Sequence, residues 1–178
     1  MRTIITISIL ILIMGACSCN RNSTSSEPMS MDSVKKQYNE PMMEWNHAKV
    51  RDQDMMIQRY AERRSWDMTR SESGLFYSIY EPGTGMKADS GFMAVFHYDL
   101  HLLDGQFCYS SDSTGPRQIK LGRADIESGL EEALLAMRIG DKAHVIIPPH
   151  LAYGMPGDGN KIPTDAILVY DLELSKLY

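Results

Sequence analysis

The stretch Phe92-Met93-Ala94-Val95-Phe96-His97-Tyr98-Asp99-Leu100-His101-Leu102-Leu103, running on through Asp104-Gly105-Gln106 into Phe107-Cys108-Tyr109, decides the architecture. Side chains of an extended chain alternate between two faces. Ala94, Phe96, Tyr98 and Leu100 therefore share one face, and Val95, His97 and Asp99 the other. Leu103-Asp104-Gly105-Gln106 carries turn chemistry, so the run predicts a strand over about 92–103 that hairpins onto a second strand from Phe107. Upstream, Leu75, Tyr77 and Ile79 alternate with Phe76, Ser78 and Tyr80 until Glu81-Pro82-Gly83-Thr84-Gly85 ends the pattern. Downstream the period changes: Leu130, Ala133, Leu134 and Met137 form one helical stripe, with Gly140 where a C-terminal cap is expected. Alternation returns over about 142–148 and 167–174. The pattern is an antiparallel sheet wrapped on one short helix, an α+β arrangement over residues 74–178 without internal repeat or linker.

Within that frame stand His97-Tyr98, Leu103-Asp104-Gly105, Ser110-Ser111, Leu121-Gly122, Gly129-Leu130-Glu131-Glu132-Ala133-Leu134 and Met137-Arg138-Ile139-Gly140-Asp141-Lys142. They are followed by Ile147-Pro148-Pro149-His150-Leu151-Ala152-Tyr153-Gly154, Ile162-Pro163 and Leu168-Val169-Tyr170-Asp171-Leu172-Glu173-Leu174. In order and spacing the series resembles the FKBP-type peptidyl-prolyl cis-trans isomerases, and the block at 147–154 is its most specific piece. The resemblance implies an FKBP-like antiparallel twisted sheet around one short helix, isomerase activity and no cofactor. It also implies a pocket. Tyr98, Ile126 and Tyr153 take the catalytic positions, Ile126 through its backbone and Tyr153 as hydroxyl donor. Leu130, Ile162 and Tyr170 line the substrate groove, Leu130 where the family has a floor Trp and Tyr170 where it usually has Phe. Over 107–111 the family pattern Phe-Asp-Ser-Ser appears as Cys108-Tyr109-Ser110-Ser111. The pocket position there falls on Cys108, with Tyr109 beside it, or on Phe107 if the strand carries a one-residue bulge. Glu127 stands where an apolar residue is usual, and Asp158 where an aromatic or His is common.

The chemistry has its own logic. Rotation about an Xaa-Pro bond faces a barrier of about 18–20 kcal/mol and takes tens to hundreds of seconds unaided. No covalent bond breaks, so neither nucleophile nor metal is required. A dry apolar pocket that disfavours the planar, charge-separated amide, with one fixed donor for a carbonyl, suffices. His97 and His101 lie on one strand face but lack a third ligand at matching spacing, so a metal site is not expected. Asp158-Gly159-Asn160 reads as a turn.

Further outward, the texture before residue 74 differs. Met42, Met43, Trp45, Val50, Ile57, Tyr60 and Ala61 fall on one apolar helical face among charged residues, predicting an amphipathic helix near 47–65 within a helical segment 34–73. It reads as a helix packed on its own domain rather than a dimerisation arm; monomer and dimer both remain open. Ser18 to Ser33 is polar, without apolar period. It forms, with Cys17, a flexible tether over 17–33 whose sixteen residues from Ser18 reach roughly 20–25 Å. Met1-Arg2-Thr3 and the apolar run Ile4–Met14 are too short for the roughly 20 residues of a spanning helix and read as a signal sequence. Met14-Gly15-Ala16-Cys17 resembles the lipobox of bacterial lipoproteins, which implies a signal peptide over 1–16, lipidation of Cys17 and a membrane anchor. The subgroup it most resembles is the gliding-motility-associated isomerase lipoproteins. Localisation in the cell envelope, on the outer membrane facing the periplasm, is the corresponding expectation.

Composition agrees. A chain of 178 residues with 23 Asp+Glu against 18 Lys+Arg, net charge −5, is no nucleic-acid binder, and three cysteines exclude a disulfide scaffold. The expected partners are proline-containing polypeptide clients and, through Cys17, a membrane. The competing expectation is a catalytically weak binding or chaperone module that keeps the fold.

Overall fold

The computed structural model of the chain describes residues 31–178, and side chains from residue 42 onward. The expected signal peptide, Cys17, Cys19 and the tether up to residue 30 lie outside the described residues. A long helix, α1 (Met31–Glu62), comes first. Next along the chain are β1 (Thr69–Arg70), β2 (Phe76–Glu81), β3 (Met93–Leu102), β4 (Phe107–Ser110), a one-turn helix α2 (Ser111–Thr114) and β5 (Arg117–Lys120). A short helix α3 (Ser128–Ala136), β6 (Lys142–Ile147), a 3-10 turn Pro149–Leu151 and β7 (Leu168–Leu177) complete the chain. The chain divides into two compact units after Met43, within α1, and the sheet with both of its cores belongs to the second, Glu44–Tyr178.

The seven strands form one antiparallel sheet in the order β1-β2-β6-β7-β3-β4, with β5 added on β3. Elements carrying clear alternation sit within a few residues of their expected bounds. β1, α2 and β5 have no such signal: Arg117-Gln118-Ile119-Lys120 offers a single buried apolar residue, Ile119. Pairing with Met93–Phe96 of β3, rather than local pattern, makes it a strand.

Alternation sorts the sheet's side chains into two cores. Phe96, Leu100, Leu102, Val145, Ile147, Leu168, Tyr170, Leu172 and Leu174 meet Leu130, Ala133 and Leu134 of α3 in the main one. Gly129 makes this packing close, since a Cβ there would collide with Cγ2 of Ile147. On the other face Phe76, Ile146, Ile167 and Val169 pack with Ile57 and Tyr60 of α1. Burying side chains of this size contributes roughly 1.5–3 kcal/mol each. The C-terminal part of the helix is therefore packed on its own domain, as expected, but the helix has different bounds. It begins at Met31, ahead of the expected tether end at 33, because Lys35, Lys36, Gln37, Glu40 and Glu44 are good helix formers without an apolar stripe. It stops at Glu62, where Ser65 turns to φ 55° and the Trp66 N–H bonds the carbonyl of Ala61 at 3.0 Å. The expected single apolar face is corrected too: Ile57, Tyr60 and Ala61 are buried, whereas Met42, Met43 and Trp45 are exposed.

Candidate active site

Tyr98 stands on the inward face of β3, half-buried against the main core. Its ring lies 6.1 Å from that of Tyr170, tilted by 53°, and 6.0 Å from Phe96. Ser111 holds the strand from behind, its Oγ accepting the Tyr98 backbone N–H at 3.0 Å. Ser110, whose Oγ accepts the Asp112 N–H at 3.0 Å, caps α2 and so explains the Ser-Ser pair. Tyr170 is in register with Leu100 on β3 and Val145 on β6, which leaves it 2% exposed. Leu130 comes from α3 and Ile162 from the loop before β7, both buried.

Tyr153 is brought in by the chain after β6. The 3-10 turn begins at Pro149, and the N–H groups of Ala152 and Gly154 both bond its carbonyl, at 3.1 and 3.0 Å. Burial pushes the Tyr153 hydroxyl well above its ordinary range, and the neighbouring carboxylate of Glu127 pushes it further. It is a neutral donor at any physiological pH. Burial likewise raises the Tyr170 hydroxyl, with Glu127 and Tyr153 adding to it. Ile126 is half-buried in the turn leading into α3.

At β4 the structure decides between Phe107 and Cys108. His101 pairs with Phe107 and Leu100 with Tyr109, so the strand does bulge, at Cys108. The bulge turns Cys108 fully inward and leaves Phe107 half exposed, edge-on to His101 at 5.3 Å. Phe107 is thus removed from the expected pocket lining. The Cys108 thiol is pushed up by burial, and with a raised pKa it is a packing residue rather than a nucleophile. Tyr109 donates its hydroxyl to Asp158 Oδ2 at 2.5 Å, while Lys161 Nζ donates to the Cys108 carbonyl at 2.6 Å. Asp158 Oδ1 also accepts the N–H groups of Asn160 and Ile162, at 2.9 and 2.8 Å. Desolvation raises the Asp158 carboxyl, but these hydrogen bonds outweigh it and hold it below its ordinary range. Gly157, at φ 64°, lets the loop close, since a Cβ would collide with the Ile162 carbonyl oxygen. The loop at 158–162 is thus a turn tied to β4, and it fixes Ile162.

All the expected pocket residues except Phe107 therefore lie in or against one cluster. Candidates for other chemistry are accounted for: His97 Nδ1 lies 3.4 Å from the Ser111 hydroxyl, and His101 packs on Phe107. Among the described residues no group of three or more His, Cys, Asp or Glu is arranged to hold a metal. The expected site omits Glu127 and Arg117, whose side chains approach to 3.9 Å near Tyr153 and Tyr170. The only signal is Glu127 standing where the FKBP-type family usually has an apolar residue.

A family model for FKBP-type peptidyl-prolyl cis-trans isomerases matches residues 85–175. The chain belongs to that family. Peptidyl-prolyl cis-trans isomerase FKBP11 of Bos taurus is 46% identical over 81 residues, 46% of this chain and 40% of the relative. Peptidyl-prolyl cis-trans isomerase FKBP9 of Homo sapiens is 37% identical over 109 residues, 60% of this chain but 19% of that one. FK506-binding protein 2 of Dictyostelium discoideum is 39% identical over 90 residues, 50% and 68% of the two chains. The chain thus spans well under half of the first two relatives. The crystal structure of AtFKBP13 superposes with a TM-score of 0.60 at 30% identity, covering 63% of this chain and 99% of its own. Tyr98, Tyr153 and Tyr170 thus gather against one apolar cluster, with a neutral hydroxyl at Tyr153 and a thiol raised by burial at Cys108.

Proposed function

We propose that the chain is a peptidyl-prolyl cis-trans isomerase that speeds Xaa-Pro rotation in envelope proteins as they fold. The proline ring enters between Tyr98, Tyr153 and Tyr170 over Leu130 and Ile162, and the Tyr153 hydroxyl donates to a client carbonyl. Ile126 contributes its backbone beside them, and Cys108 and Tyr109 support the wall from β4. The observation that carries this is the convergence of those three tyrosines, from two strands and a loop, on one apolar cluster. Desolvation favours the twisted amide, whose separated charges have been lost. We further propose that residues 1–16 are removed, that Cys17 is lipidated and that the chain is a bacterial lipoprotein of the outer membrane, facing the periplasm. Support for this part is the sequence Met14-Gly15-Ala16-Cys17 behind a short apolar run, with a polar tether after it. No helix among the described residues is long and apolar enough to cross a membrane.

Refolding of a proline-limited test protein measures the activity directly, because isomerisation is slower than the other folding phases. Acceleration by catalytic amounts of the chain is the expected outcome; none, from folded protein, overturns it. The second reading, a binding or chaperone module of the same fold, draws on one observation: the floor position is the fully buried, non-aromatic Leu130 where the family has Trp. Suppressed aggregation without accelerated isomerisation is its signature.

A further inference from the structure

Glu127 is left unused by that reading. It opens α3, yet its side chain makes no capping hydrogen bond. Instead the carboxylate lies near enough to Tyr153 and Tyr170 to raise both hydroxyls. The residue is 8% exposed, and neither carboxylate oxygen has a partner within ordinary hydrogen-bond geometry among the described residues, although the Tyr153 hydroxyl is close enough to interact with it. Arg117 Nη1 comes to 3.9 Å of Oε2, beyond hydrogen-bonding range, and its own side chain is 36% exposed. A carboxylate taken out of water without donors is strongly destabilising. An unsatisfied group of this kind calls for a reason, and at the edge of a binding pocket the reason is a ligand that supplies the missing donors.

We propose that Glu127 is a specificity-determining residue of the pocket, accepting hydrogen bonds from a lysine or arginine side chain that directly flanks the client's proline. This rests on the isomerase reading of the same pocket. The chemistry selects the donor. An ionised carboxylate only accepts, and proline brings a carbonyl but no N–H, so the ring itself cannot satisfy it. A flanking cation supplies N–H donors and the compensating charge together, which gives the stronger kind of hydrogen bond. The chain's net charge of −5 also draws cationic segments toward it. Arg117, partly exposed and 3.9 Å from the carboxylate, is the internal cation that the client's side chain displaces or joins. Acidic residues beside the proline are disfavoured by the same carboxylate.

The test uses peptides identical but for Lys, Leu or Glu before the proline, and a second set varied after it. Isomerisation is followed by NMR exchange and affinity by NMR titration. Wild-type chain is expected to favour a Lys peptide over its Leu counterpart about tenfold, with the Glu peptide last. Glu127→Gln brings the Lys-to-Leu ratio close to one, and Arg117→Ala raises it by freeing the carboxylate. The Arg117 variant keeps the test decisive should Glu127→Gln fail to fold. Equal handling of Lys and Leu by wild type, or a preference that survives Glu127→Gln, overturns the proposal. Absence of isomerisation with every peptide defeats the isomerase reading instead, and the affinities then still report whether Glu127 selects a cation.

Discussion

Tyr153 illustrates how one residue combines two requirements. Its ring packs against the apolar cluster, its hydroxyl is kept neutral by burial and by Glu127, and in the proposed reaction that hydroxyl donates to the client carbonyl. Tyr153→Phe keeps the packing and removes the donor. It should lower kcat/KM for a prolyl peptide by about three- to tenfold, the worth of one neutral hydrogen bond, with the unfolding midpoint unchanged. An unaltered rate removes the assigned role. The neighbouring positions show where residue-level reading ends. Cys108 and Phe107 are both apolar and adjacent, and either satisfies the strand pattern. Only the bulge against His101 and Leu100 turns the thiol inward and the ring outward. Glu127 is legible as a departure from the family's usual apolar residue, but its lack of a close hydrogen bond is a property of the folded neighbourhood.

At the scale of elements, the last turns of α1 and the sheet's outer face form a core separate from the one that holds Tyr98, Tyr153 and Tyr170. Ile57 has no exposed surface and sits among Tyr60, Phe76, Ile146 and Val169. Ile57→Ala should cost about 2–5 kcal/mol in urea unfolding, since it leaves a cavity on the face away from the tyrosines, while prolyl-peptide affinity of the folded protein holds. The stack beside it responds to pH. His144 on β6 lies between Trp66, 3.9 Å away, and Tyr80, 4.3 Å away, with Asp171 Oδ2 at 3.8 Å from Nδ1. Tyr80 also donates to Asp171 Oδ1 at 2.9 Å. Burial lowers the His144 pKa, and Asp171 offsets this only in part. The folded state therefore binds fewer protons here than the unfolded chain, whose imidazole titrates near about 6.5. The contribution of the stack is complete above that value and is lost as pH falls from there through the lower, folded-state pKa. Urea midpoints measured between pH 7.5 and 5 should drop on acidification, and His144→Phe should flatten that slope; an identical slope in the variant refutes the assignment.

For the whole molecule, the question is where the domain works. The anchor proposal makes Cys17→Ser the decisive change: the variant should leave the membrane fraction for the soluble one while retaining isomerase activity in solution. Continued sedimentation with membranes defeats it. The anchor rests on local order alone, as does most of the element list, because alternation, helical stripes and turn residues are properties of neighbours in sequence. Leu130, Ala133 and Leu134 announce α3, and Ala94, Phe96, Tyr98 and Leu100 announce the inner face of β3, wherever the rest of the chain goes. By itself the sequence thus determined the α+β class, the family and those strands and helices that carry a clear period. Tertiary structure decided what depends on non-neighbours. Arg117–Lys120 is a strand because β3 offers it partners; the Ile57–Tyr60 face of α1 is buried because the sheet has an apolar outer surface; Cys108 displaces Phe107 because of a bulge. Glu127 lacks a close hydrogen bond because Tyr153, Tyr170 and α3 surround it while Arg117 stops 3.9 Å away. Burial and hydrogen-bond satisfaction are sums over everything that surrounds a group, and most of what surrounds these groups is far away along the chain.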